Sequence, residues 1–159
     1  MILVTVGTTP FNFNRLLKAV DELIEKGKVK ERVVMQIGHS TYEPRNAEWF
    51  RLASYREMEE LNRKARVVIT HGGAGSILTA LKFGKPVIAV PRLKKFNEHT
   101  DDHQIDLVKN LSKEGKLIGV FDVKNLYEAI QKAKRVKKIG RRGTLVKEIK
   151  KYIEHLQEG

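Results

Sequence analysis

Three clusters of residues in this chain combine side-chain types and spacings suited to chemistry. The first is His71-Gly72-Gly73-Ala74-Gly75-Ser76. It follows a β-branched run, Val67 to Thr70, and precedes Ile77, Leu78, Ala80 and Leu81, which are apolar at helical spacing. A strand that ends in glycines just ahead of a helix leaves peptide N–H groups free at the positive end of the helix dipole. No side chains there keep an anion away, so the natural guest is a phosphate. The second cluster, Gly7-Thr8-Thr9, is another turn after a strand. The third runs from Glu98-His99 to Asp101-Asp102-His103-Gln104, with two imidazoles four residues apart and Asp106 close by. That spacing suits helix capping or, with one further ligand, a divalent cation.

Each cluster also has a plainer reading. HGGAG fits a close-packed strand–helix corner, and His71 alone fits a hydrogen bond to a neighbouring loop. The common nucleotide signatures are missing: no G-x-G-x-x-G follows Val6, and G-x-x-x-x-G-K-[ST] is absent. No D-x-D pair follows a strand. Trp49, Phe50 and Tyr55 read first as packing residues, with Tyr55 or its backbone also placed to meet a nucleotide base.

The elements that must position these clusters alternate. Ile2 to Val6 is a short apolar strand, followed by a helix carrying Leu16, Leu17, Val20, Leu23 and Ile24, with Asn12 or Asn14 as N-cap and Gly27 as the stop. Val33 to Ile37 is the second strand, 39–48 a loop, and Phe50 to Ala53 a short third strand. A helix over Arg56 to Ala65 leads into the strand at Val67. The helix after the glycine turn ends at Gly84, and Pro86 to Val90 is the next strand. A long polar connection then reaches a helix carrying Ile105, Leu107, Val108 and Leu111, before a strand at Leu117 to Val120 and a helix over Val123 to Ala133. Alternating strands and helices, with strands apolar on both faces, predict an α/β fold with a Rossmann-like, doubly wound and mainly parallel sheet. Ligands in such sheets sit at the carboxyl ends of the strands, where the strand order reverses.

Composition narrows the remaining classes. With 159 residues the chain is long enough for one domain with a real core, and the absence of cysteine excludes disulfides and thiolate chemistry. No apolar run approaches the roughly 20 residues that span a bilayer. The first strand starts at Ile2, and a cytoplasmic location is the expectation. Of the formal +12 charge, much sits between Lys132 and Lys151, where ten Lys or Arg face Glu148 alone. The chain is therefore expected to divide into a domain over 1–134 and a basic extension over 135–159. The extension carries an amphipathic helix with Leu145, Ile149, Tyr152, Ile153 and Leu156 on one stripe. Its basic face suits solvent, an anionic membrane surface or another polyanion. Nucleic acid is disfavoured because no stacking motif or recognition helix accompanies the charge.

The order strand, HGGAGS, helix, GKPVIAVP, long loop, DHQ resembles the glycosyltransferase family 28 C-terminal domain, the donor-binding half of two-domain GT-B enzymes of the MurG type. From VTVGTTPFNF through NEHTDDHQ, over roughly residues 1 to 130, the chain is similar to the small free-standing members of that family. These are the PssE-type exopolysaccharide subunit and the soluble subunit of the dolichol-linked UDP-GlcNAc transferase. The resemblance implies that His71 and Ser76, with the backbone of Gly72, Gly73, Ala74 and Gly75, hold the diphosphate of a UDP-sugar, and that Gly7, Thr8 and Thr9 face the same crevice. It implies sugar contacts from Asp102, His103 and Gln104. Thr79 stands where many relatives carry a ribose-binding glutamate, so Thr79 and Tyr55 are the candidates for ribose or base.

The resemblance further implies an inverting, metal-independent transferase with no cofactor. It would move a hexose or N-acetylhexosamine from a UDP-sugar to a lipid-linked or polysaccharide acceptor. The general base comes from the other half in two-domain relatives, so a membrane-associated, acceptor-binding partner subunit is expected at the inner face of the membrane, with a homo-oligomer as a further option. The rival readings are a non-catalytic UDP-binding regulatory subunit and a nucleic-acid-binding module that uses the basic tail.

Overall fold

The computed structural model describes residues 1–135 together with Lys147 and Lys150. The expected C-terminal helix, with Leu145, Ile149, Tyr152, Ile153 and Leu156, lies outside the described residues apart from those two lysines. Six strands form one sheet: β1 (Ile2–Thr5), β2 (Val33–Gln36), β3 (Glu48–Phe50), β4 (Val67–His71), β5 (Val87–Val90) and β6 (Ile118–Gly119). Every pairing is parallel, and the order is β3-β2-β1-β4-β5-β6. The helices are α1 (Asn14–Glu25), α2 (Tyr55–Lys64), α3 (Ala74–Lys82), α4 (His103–Lys113) and α5 (Leu126–Ala133). This is the Rossmann-like arrangement, with the order reversing between β1 and β4.

The four inner strands, β1, β2, β4 and β5, are buried throughout because both faces are covered, whereas the edge strand β3 is largely exposed. On one side Ile2, Val4 and Val6 pack with Leu16, Leu17 and Val20 of α1 and with Leu126, Ala129 and Ile130 of α5. On the other, Leu3, Val68 and Ala89 pack with Ile77, Ala80 and Leu81 of α3 and with Leu107, Val108 and Leu111 of α4. Each Val, Leu or Ile side chain so removed from water contributes about 1.5–3 kcal/mol, and each alanine less. At the carboxyl ends of β1, β2 and β4 the core turns polar: Thr5, Gln36, Thr70 and His71 are all buried. Thr5 Oγ1 donates to Thr70 Oγ1 across 3.0 Å.

Three local expectations are corrected. Neither Asn12 nor Asn14 holds the cap position of α1, although Asn12 Oδ1 accepts from Asn14 N, the first peptide of the helix, at 3.3 Å. Phe13 holds the cap position because its fully buried ring fixes where the helix begins, and Asn14 accepts instead from the peptides of Thr41 and Tyr42. The third strand is 48–50 rather than 50–53. Gln36 is the last residue of β2 in register, opposite Phe50, and Ser54 then starts α2 through a capping box with Glu57. The helix expected from Val123 starts as a 3-10 turn over Val123–Asn125 and becomes α-helical only at Leu126. Among the described residues no helix is long and apolar enough to cross a membrane.

Candidate functional site

A crevice of about 460 Å³ opens beside the point where the strand order reverses. Its walls come from the turn after β1 (Gly7, Thr8, Thr9), the turn after β4 with the first turns of α3 (His71, Gly73, Gly75, Ser76, Thr79), and α2 with the segment before it (Leu52, Ala53, Tyr55, Met58, Asn62); Thr5 and Gln36 complete the lining. The glycine turn and the first loop, far apart in sequence, therefore meet. Tyr55 is 65% exposed at one edge.

The N-terminus of α3 carries no side-chain cap. Its cap position is Gly73, so the first peptide N–H groups of the helix have no side-chain partner. Ile77 N–H closes the first helical bond onto Gly73 O at 3.1 Å, which leaves the N–H groups of Ala74, Gly75 and Ser76 as the unclaimed donors of the first turn.

The glycines of the turn have distinct jobs. A β-carbon on Gly73 would lie 2.1 Å from His71 Cε1, and one on Gly7, whose φ is +79°, would lie 2.6 Å from His71 Nε2. The His71 ring thus fills the space that side chains at positions 7 and 73 would need. A β-carbon on Gly72 would lie 2.8 Å from Gln104 Cβ. Gly75 alone meets nothing within 4 Å while lining the crevice, so its missing side chain leaves open space there.

His71 is the hub. It is 6% exposed, with Ser76 Oγ 3.3 Å from Nε2 and Gln104 Nε2 3.4 Å from Nδ1. Burial, reinforced by the Arg92 charge, pushes its pKa down to about 3, so the ring is neutral at physiological pH.

The remaining sequence candidates are distributed differently. Gln104 stands behind His71 and does not line the crevice; its Oε1 accepts from Arg92 N at 3.0 Å. Asp102 and His103 are exposed and also outside the lining, with Asp102 Oδ1 accepting from Lys94 N at 2.9 Å and His103 N donating to Asp101 Oδ1 at 2.9 Å. Gly72 and Ala74 support the turn without lining it. Thr79 lines the crevice, and its hydroxyl donates back to Gly75 O at 2.9 Å. Glu98 is committed to Arg15, through two hydrogen bonds of 3.0 and 2.9 Å, and to the Leu93 peptide. Among the described residues no three His, Asp, Glu or Cys side chains converge as a metal site.

Two supporting residues were not singled out from sequence. Gln36, at the end of β2, accepts from the peptides of Val6 and Gly7 and donates to Gly7 O and Arg51 O, which holds the first loop in place. Arg92 is fully buried, and its guanidinium donates to the carbonyls of Val6, Phe11, Asn12 and Glu98. It ties the loop after β5 to the loop after β1. The legible signals were a polar residue closing an apolar strand and a cation between Pro91 and Leu93.

Residues 1–153 match the sequence pattern of the glycosyltransferase family 28 C-terminal domain. The chain is 39% identical over 125 residues to the human UDP-N-acetylglucosamine transferase subunit ALG13, an alignment covering 73% of this chain and 10% of the human protein. It thus spans about a tenth of that relative's length. Its fold matches the crystal structure of the glycotransferase of kitacinnamycin (TM-score 0.63, 16% identity, 98% of this chain and 39% of that one). It also matches the solution structure of ALG13 (TM-score 0.56, 20% identity, 89% of this chain and 88% of that one).

Proposed function

The chain belongs to the glycosyltransferase family 28 C-terminal domain family, and from that premise we propose that it is the donor-binding subunit of a UDP-sugar-dependent transferase. The donor proposed is UDP-GlcNAc or a related UDP-hexose, in keeping with the name of the human relative. The observation that carries the reading is the crevice at the strand-order reversal, with the uncapped α3 N-terminus and Ser76 on one wall and Gly7 to Thr9 on the other.

In the proposed reaction an acceptor hydroxyl attacks the anomeric carbon, the bond from that carbon to the diphosphate oxygen breaks, and UDP leaves with the negative charge. Peptide N–H groups and a helix dipole aimed at the diphosphate stabilise that charge more as it develops. Such a donor set supports a metal-independent step. The segment before α2, with Tyr55 at its edge, is the proposed platform for the base, and Thr79 is the neighbour of the ribose.

The acceptor proton needs another home. No carboxylate is among the crevice-lining residues, and His71, with a pKa near 3, is too weak a base near neutrality. This supports a partner subunit that supplies the base and the acceptor site. The ten basic residues between Lys132 and Lys151 support apposition to an anionic membrane surface, on the cytoplasmic side, where a lipid-linked acceptor would be reached.

Calorimetric titration with UDP, UDP-GlcNAc, ADP and NAD tests the donor assignment, and the two uridine ligands are expected to bind best. Preference for ADP or NAD contradicts it. Transfer to acceptor with the partner added, retained in EDTA, tests the activity. Binding of UDP-GlcNAc without any transfer would favour the regulatory-subunit reading.

A further inference from the structure

We infer that Gln104 is a positioning residue: it fixes the imidazole of His71 in the tautomer protonated at Nε2, so that a one-way chain of donors runs from the Arg92 peptide through Gln104 and His71 to Ser76. The direction of the chain is set at its start. A peptide N–H only donates, and Arg92 N lies 3.0 Å from one terminal atom of the Gln104 amide, so that atom is the oxygen. The amide nitrogen is then the atom 3.4 Å from His71 Nδ1, and since it carries hydrogens, Nδ1 must offer its lone pair. A neutral imidazole protonates one nitrogen, so the proton sits on Nε2.

From Nε2 the chain continues outward. Ser76 Oγ, 3.3 Å away, accepts from Nε2, which leaves the serine's own hydrogen free to point into the crevice that Ser76 lines. The site therefore meets its guest with donors from Ser76 and the first peptides of α3, and the imidazole supports them without adding a positive charge. Neutrality follows from what faces the ring: burial, the Arg92 guanidinium and His99 all disfavour an imidazolium, and the Gln104 amide adds to them, since its N–H would face a protonated Nδ1 donor to donor. Gly72 is bare because Gln104 must come this close; its β-carbon would fall 2.8 Å from Gln104 Cβ.

This inference gives Gln104 a role other than the sugar contact that the sequence resemblance implies. It deepens the proposed diphosphate site and rests on that reading only where ligand affinity is concerned. The test is therefore made first without ligand. In the full chain labelled with nitrogen-15 histidine, long-range proton–nitrogen spectra are expected to show a pyridine-like Nδ1 and a pyrrole-like Nε2 on His71, unchanged from pH 5 to 8. A pyrrole-like Nδ1, or an imidazolium in that range, overturns the inference.

Gln104→Glu supplies the second arm. A carboxylate there accepts from both the Arg92 peptide and the imidazole. It should therefore move the proton to Nδ1 or bring the titration of His71 into the measured range, and weaken UDP-GlcNAc binding about tenfold at pH 8. A variant that keeps the neutral Nε2 tautomer overturns the inference. If the variant does not fold, the wild-type spectrum still decides. Failure of the diphosphate reading would look different: the expected tautomer, with no UDP-GlcNAc binding.

Discussion

The ring of His71 occupies the volume that a side chain on Gly73 would need, with Cε1 only 2.1 Å from the ideal β-carbon position. The glycine two residues along is thus required by the histidine, while Gly75, in the same motif, touches nothing. The two glycines should answer to substitution in opposite ways. Gly73→Ala is expected to displace the imidazole and destabilise the fold by about 1–3 kcal/mol. Gly75→Ala should melt no lower than the wild type, since alanine is favoured over glycine in a helix by up to about 1 kcal/mol, yet bind UDP more weakly because a methyl group enters the crevice. Paired thermal melts and UDP titrations check both. Equal loss of stability in the two variants would contradict the assignment.

The depressed pKa of His71 makes stability depend on pH in a defined direction. The unfolded chain protonates this histidine below its ordinary value of 6.5, whereas the folded chain holds it neutral down to about 3. The unfolded state therefore binds more protons in that window. Stability contributed by the neutral ring is fully present above 6.5 and falls by about 1.4 kcal/mol per pH unit as the pH drops toward 3. The lowered carboxyls of Asp21, Glu31 and Asp101 lose their contributions only as the pH falls below about 4.5. Denaturant melts between pH 7 and 5 should show this slope in the wild type and not in His71→Gln.

Arg92 fastens two loops at once. Its guanidinium reaches carbonyls of the β1 loop and of Glu98, and burial pulls its pKa down to about 10 against the attraction of Glu98. Arg92→Met leaves those carbonyls without their donor and is expected to cost about 3–5 kcal/mol. Arg92→Lys should recover little of it, because an ammonium lacks the planar fork that meets several carbonyls together. Urea midpoints of the three proteins check the order.

Much of this was legible in the residues. Val67 to Ser76 announced a strand, a bare turn and a helix, and the apolar strands announced a sheet covered on both faces; both follow from local periodicity. The crevice position followed from topology, since loops at one rim must meet. What sequence could not supply was the depth of Gln104, which depends on how α4 packs against β4 through Gly72. The same holds for the burial of Arg92, whose partners lie more than 70 positions away at Phe11 and Asn12. Asp102 and His103 share a segment with Gln104, but helical geometry directs the three apart, and only Gln104 reaches the His71 wall.

The most direct test of the central claim follows backbone amide resonances while UDP is titrated into the full chain. The account predicts that the largest shifts fall on Gly73 to Ser76 and on Thr8 and Thr9, and that Ser76→Ala weakens binding about tenfold or more. Shifts confined to residues outside the crevice, or none at saturating UDP, would contradict it.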